Sequence, residues 1–369
     1  MMLLGLIALG GLLVLSVLPS TLDARNAAGD DAQFALVPAD AQPVATRLSF
    51  DAVERYKATG ELLFVTVREP EITLLDWWIG KGEPEVQPLS YEDRYGTQTP
   101  EQQKQANVQM MRTAKQTAEY VALNFLGYPV SIVPGEVIVN QLVCLTPNED
   151  GSQCLDYAPS DDLLDPGDQL LEVDGTKLTT IDDLGPILKK HQPGDEVEVT
   201  FDRQGEGTST GSVELIASND GTDRTIIGFQ PVDTATVKLP FDVEIDSGEI
   251  GGPSAGLAFT VTLIDEMTPG ELTGGNKVAI TGTISTDGSV GPIGGLAQKT
   301  SAVKQMGAKV FIVPVAQGDD DIAKAREVAG DDLEIVPVAT LQEAIDALAK
   351  LGGNGHDLGT PGADYQADN

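Results

Sequence analysis

Histidine is scarce in this chain: among 369 residues only His191 and His356 carry an imidazole. Motifs that set two histidines on one helix face to grip a metal are therefore absent, and neither metal nor cofactor is expected. A serine–histidine–acid triad between residues 225 and 352 would have to borrow its histidine from elsewhere in the chain. Basic residues are also few, 23 against 57 acidic ones, for a formal net charge of −34. Phosphate backbones are held by clustered Lys and Arg, so this balance excludes nucleic acid as a partner. It suits solubility and repulsion of anionic surfaces, or a salt-rich habitat. Glycine is abundant but wrongly placed for a phosphate cradle. Gln298 stands before Lys299 where a P-loop requires glycine, and GSVGPIGG has the wrong intervals for a dinucleotide fingerprint. No ATPase module is visible. Cysteine occurs twice, at Cys144 and Cys154, with Pro147, Asn148, Asp150 and Gly151 between them. Such a turn-rich stretch can close as a disulfide loop, in keeping with an oxidising compartment; two free thiols are the other reading.

Long apolar runs are missing except at one place. MMLLGLIALGGLLVLSVL, residues 1–18, carries no charge. As a helix it would span about 27 Å, close to the ~30 Å hydrocarbon core of a bilayer. The first expectation for residues 1–22 is a retained single-pass membrane anchor with the rest of the chain extracytoplasmic. A cleaved signal peptide, leaving a secreted protein, is the second. A buried soluble helix is the third.

Past a short polar spacer, the 41% hydrophobic content supports folded domains, and the expected fold class is α/β (α+β) and multidomain. Residues 34–123 alternate apolar pieces such as GELLFVTV with turn signals, as a small α/β region does. Within it LLDWWIG places Trp77 and Trp78, for which core packing is the first expectation and a membrane or partner contact the second. From Thr99 the run TPEQQKQANVQMMRTAKQTAEYVALNFLG has the start and stop signals of a long helix. Residues 124–218 contain strand-like GEVIVNQLV, DQLLEVDG and DEVEVTFDR around one short helix, TIDDLGPILKKH. Residues 225–352 switch to strands alternating with helices: KLPFDVEID, PSAGLAFTVTLIDEM, KVAITGTIS, GGLAQKTSAVKQMGA, KVFIVPV, DDIAKAREVAG, LEIVPVA and TLQEAIDALAKL. Residues 353–369 are polar and Gly-rich, and are expected to be a disordered tail.

Two positions in the last domain invite chemistry. Ser254 sits in GGPSAG just before an apolar helix, where unpaired N–H groups and the positive dipole end suit a developing oxyanion. An ordinary capping turn would read the same way. Lys299 lies on GGLAQKTSAVKQMGA at ~300° on a helical wheel, between Met306 at ~280° and Val303 at ~340°, whereas Lys304 falls near 80°. An inward amine loses solvation, its pKa drops, and the neutral base becomes available near neutral pH. Snorkelling outward, or pairing with an acid, is the alternative.

The phrase LLDPGDQLLEVDGTKL, its short helix and QPGDEVEVTFDRQG resemble a PDZ domain, a module that binds peptide ends by strand addition. That resemblance would put the carboxylate-binding loop at Leu126-Gly127-Tyr128, which is also how a helix-ending glycine looks. GGPSAG, Thr281-Gly282 and VGPIGGLAQK resemble the proteolytic domain of Lon proteases, and Lys299 follows Ser254 by 45 positions. Anchor, PDZ-like and Lon-like parts together resemble the secreted, YlbL-type Lon-like proteases of bacteria. The resemblance implies an ATP-independent serine endopeptidase with Ser254 as nucleophile and Lys299 as general base. Thr281 would hold the amine, and backbone N–H groups of Ser254 and Gly251 would form the oxyanion hole. It further implies exposed or unfolded extracytoplasmic protein segments as substrates, a PDZ-like part for peptide recognition or regulation, and a hexameric ring. Full-length ATP-driven members carry an acid where Gly251 stands. A PDZ-based scaffold with an inactive Lon-like domain is the alternative reading, and a membrane-tethered chaperone a third.

Overall fold

The computed structural model describes residues 11, 13–96, 100–147, 154–203, 205–218, 224–355 and 358–365. The chain divides into two compact units. One comprises residues 1–94, 104–130 and 239–369, the other residues 95–103 and 131–238. The region 34–123, read above as a domain of its own, therefore belongs mostly with the C-terminal half.

The first unit begins with strands β1 (Phe34–Pro43), β2 (Glu61–Arg68) and β3 (Gln87–Leu89). Helix α1 (Pro100–Phe125) follows and stops just before Gly127, as its sequence predicts, while Thr99 of the expected start lies outside the described residues. Leu74–Gly80 forms a short helix, capped by Thr73 and Asp76 in a capping box. Its Trp78 is 48% exposed, so the tryptophan pair is not the core element expected. Both indole N–H groups donate to Asp23 instead. Of the N-terminal run, residues 1–10 and 12 lie outside the described set. Among the described residues no helix is long and apolar enough to cross a membrane.

The second unit is built on a six-stranded antiparallel sheet, five strands in one path and the short Thr176–Lys177 paired to the side of Gln169–Val173. The strands of the path are β4 (Val137–Leu142), β5 (Gln169–Val173), β6 (Glu196–Arg203), β7 (Gly207–Glu214) and β8 (Phe229–Asp233), in the order β7-β6-β5-β4-β8. Asp174 and Gly175 both take positive φ, 48° and 68°, as a two-residue hairpin after β5 demands. Inward-facing Val137, Val139, Leu170, Val197, Val199 and Phe201 form its core. Cys144 and Cys154 are joined as a disulfide, closing a small hairpin.

The chain then returns to the first unit with α2 (Gly256–Glu266), β9 (Lys277–Ile280), α3 (Leu296–Gln305), β10 (Val310–Pro314), α4 (Asp319–Ala329), β11 (Glu334–Val338) and α5 (Leu341–Lys350). The sheet order is β11-β10-β9-β2-β1-β3. β2 runs parallel to β9, so the N-terminal strands complete the C-terminal sheet. Alternation sorts the residues onto two faces. Val278, Ile280, Val310 and Ile312 meet α1, α2 and α5, while Ala279, Phe311 and Val313 meet α3 and α4. KLPFDVEID is not one strand: only Glu244–Ile245 of its second half pairs, with Leu48–Ser49. The tail is ordered over residues 358–365, contrary to expectation. Leu358 is buried, and Tyr365 packs edge-on against Tyr128 and Phe241.

Candidate active site

β9 ends at Ile280, and the next two residues leave the ladder. Thr281 donates its N–H to Ile312 C=O at 3.0 Å, anchoring it to β10. Its hydroxyl donates to Ser254 C=O at 3.1 Å, and Gly282 N–H donates to the same carbonyl at 2.9 Å. Leu257 N–H answers by donating to Gly282 C=O. The turn before α2 is thereby stitched to the carboxyl end of a parallel strand, the usual location of sites in open α/β sheets. The helix proper starts at Gly256 with Ala255 as its N-cap. Pro253 and Ser254 thus precede the first helical turn, and the helix begins three residues later than the run PSAGLAFTVTLIDEM suggested.

α3 supplies the partner. Lys299 Nζ donates to Ser254 Oγ at 2.8 Å and lies 3.3 Å from Thr281 Oγ1. Lys299 is 2% exposed, while Lys304 is open to solvent. The wheel separated these two lysines correctly but not the polar residues: Gln298 and Ser301 are buried as well, because the sheet and α4 enclose the helix from both sides. Desolvation lowers the Lys299 pKa to about 7. A neutral amine at this distance can accept a hydroxyl proton.

Gly251 has a steric reason to be glycine. A Cβ there would come within 2.8 Å of Asn107 Cβ on α1, and the Asn107 C=O accepts Gly252 N–H at 2.9 Å. Gly252 takes φ 82°, and its amide is spent on that bond. Among the described residues no acceptor is paired with the N–H groups of Gly251 or Ser254. Beside them opens a cleft of about 370 Å³, lined by Asp40, Phe64, Val67, Met111, Ile250 and Ala255 among others. Asn107 and Met111 escaped the sequence reading. Met111 lay legibly on the apolar side of a long helix, but nothing local marks Asn107.

The other sequence candidates scatter. Leu126, Gly127 and Tyr128 do not form a peptide-binding loop. Leu126 and Tyr128 are buried, Gly127 takes φ 82°, and their N–H groups donate to Ala122, Asn124 and Leu123 carbonyls. They are the C-terminal cap of α1, with no donor left for a carboxylate. His191 binds Asp174 in the second unit, and His356 lies outside the described residues. A better loop candidate is Ile227-Gly228-Phe229. Gly228 takes φ 86°, and its C=O accepts from Val143 N–H and Ser160 Oγ. By antiparallel alternation the next residue, Phe229, turns its N–H and C=O to the other side of β8. β8 is the terminal strand, with the short helical segment Ile181–Asp183 beside it. The signal was present as IIGF directly before a strand.

A family model of the Lon protease (S16) C-terminal proteolytic domain matches residues 240–350. This stretch is a Lon-type proteolytic domain. A PDZ-domain model matches residues 152–215, and the chain so combines a PDZ domain with a Lon-type domain. Lon protease 2 of Bacillus subtilis is 34% identical over 139 residues, covering 37% of this chain and 22% of that protein. The Lon protease of Chloroflexus aggregans is 36% identical over 100 residues, 27% of this chain and 12% of its own length. The chain thus spans less than a quarter of these relatives. The solved PDZ domain of an SdrC-like protein from Listeria monocytogenes is 20% identical over 27% of this chain and 90% of its own, with a TM-score of 0.20.

Proposed function

We propose that the protein is a membrane-anchored serine endopeptidase that cleaves exposed or unfolded segments of extracytoplasmic proteins with a Ser254–Lys299 dyad. The observation that carries this reading is the 2.8 Å contact between a buried amine and a hydroxyl at a helix mouth. Lys299, neutral near pH 7, takes the Ser254 proton as Oγ bonds to the peptide carbonyl carbon. The negative oxygen that forms faces the N–H groups of Ser254 and Gly251. As the C–N bond breaks, the Lys299 ammonium returns its proton to the departing amine. Water then attacks the acyl-enzyme, with Lys299 accepting its proton and restoring it to Oγ. Thr281 is a positioning residue, holding both the amine and the turn.

The PDZ domain would bind peptide termini along the open edge of β8, with the carboxylate at Ile227-Gly228-Phe229. Residues 1–22 would tether the chain to the membrane. The test is degradation of an unfolded protein without ATP by wild type, Ser254→Ala and Lys299→Ala. Degradation by wild type alone is the expected result. If all three are inert, including with a C-terminal peptide added, the enzyme reading fails and the scaffold reading takes its place.

A further inference from the structure

Exposed apolar side chains cluster where the N-terminal run enters the folded unit. Leu13, Val14, Val17, Leu22, Trp78 and Ile79 all stand open to solvent. The two stretches that carry them are tied together: Leu74 N–H donates to Leu18 C=O at 2.9 Å, and Pro19 pairs with Thr73. Asp23 Oδ2 accepts from Trp77 Nε1 at 3.1 Å, Trp78 Nε1 at 3.0 Å and Lys81 Nζ at 3.2 Å. One carboxylate therefore satisfies both indole N–H groups, and Lys81 Nζ lies 5.3 Å from the centre of the Trp78 ring. Trp78 is 48% exposed, Leu22 60% and Ile79 71%. A concentration of exposed apolar side chains marks a contact surface. The chain leading into it is uncharged over residues 1–18, and indole rings with an apolar body settle at the headgroup level of bilayers.

We propose that this patch of the folded unit lies in the headgroup layer of a lipid bilayer, with Trp78, Ile79 and Leu22 as the inserted side chains. The inference rests on the anchor reading and adds to it. The tether brings the chain to the membrane, and the patch determines which side of the unit meets lipid. Because the net charge of −34 opposes anionic surfaces, the contact is apolar and persists on uncharged lipid.

Trp77 and Trp78 are the chain's only tryptophans, so tryptophan emission, excited at the red edge where tyrosine does not absorb, reports on this helix alone. The full chain is reconstituted with phosphatidylcholine vesicles containing lipid brominated either near the headgroup or at the acyl end, and iodide is added to the water. Sedimentation with the vesicles reads the anchor separately. The expected result is co-sedimentation, with headgroup-level bromine quenching about twofold more than deep bromine. A Leu22→Ser/Ile79→Ser double variant should lose at least about half of that quenching while still co-sedimenting and still degrading unfolded protein. Co-sedimentation with emission open to iodide and blind to brominated lipid overturns the proposal and leaves the anchor standing. Emission blind to both quenchers also overturns it, since a protein surface then covers the patch. A chain that stays in the supernatant overturns the anchor and the proposal together.

Discussion

The turn at Gly251–Ala255 and the loop at Ile227–Phe229 use the same backbone device in two different units. Each has a glycine at positive φ, 82° at Gly252 and 86° at Gly228, held by a neighbouring segment. In the first the hold comes from α1 through Asn107, in the second from Val143 and Ser160. The difference lies in what stands opposite. Lys299 faces the first turn, buried and with a depressed pKa, whereas the second borders an open strand edge. Backbone donors alone suffice to bind; a neutral amine beside a hydroxyl is what turns binding into bond cleavage.

Removing that amine should break the contrast most completely. Lys299→Ala should lower proteolysis by about 10⁴-fold or more, and Ser254→Ala by a similar factor, with no further loss in the double variant, because residues acting as a unit are non-additive. Initial rates on an unfolded substrate would show it; additive losses would contradict a shared proton. Next comes pH. With the Lys299 pKa at about 7 rather than 10.5, kcat/KM should rise roughly tenfold per pH unit below 7 and level off above it. The same shift acts on stability. The unfolded chain binds this proton more readily, so stability rises with pH from about 7 to 10.5 and its Lys299 contribution is fully lost below. Denaturation midpoints of wild type and Lys299→Met should diverge as pH falls through that window, the variant being less sensitive.

A smaller effect is expected at Thr281. Thr281→Val removes the hydroxyl that bonds the Ser254 carbonyl and meets the amine, and should cost about tenfold in kcat with KM little changed. On the other side of the comparison, Gly228→Ala puts a Cβ within 2.8 Å of Ala158 Cβ at a positive φ, a strain of about 1–3 kcal/mol. It should weaken binding of a free C-terminal peptide severalfold, read by fluorescence anisotropy, yet leave cleavage of a short unselected peptide unchanged.

Much of this was legible in local sequence. The end of α1 followed from Gly127. The strand–helix alternation of the last third followed from its periodicity, and the inward side of α3 from the placement of Lys299 against Lys304. Errors came where a local signal had two meanings. Gly127 terminates a helix and Gly228 opens a strand, yet both sit in a hydrophobic-Gly-aromatic phrase. Trp77 and Trp78 look like core until Asp23, more than fifty positions earlier, takes their N–H groups. Gly251 looked like a departure from pattern until α1 placed Asn107 against it.

The sequence by itself determined which residues could do chemistry, because scarcity left few: two histidines, neither in the last domain, and one lysine on an apolar face. Tertiary structure alone decided that Ser254, Thr281 and Lys299 meet, and that β1, β2 and α1 belong to the unit that holds them. The physical reason is range. Helical periodicity and turn chemistry act over a few residues, whereas β2–β9 pairing and the Asn107–Gly252 bond join segments more than a hundred residues apart.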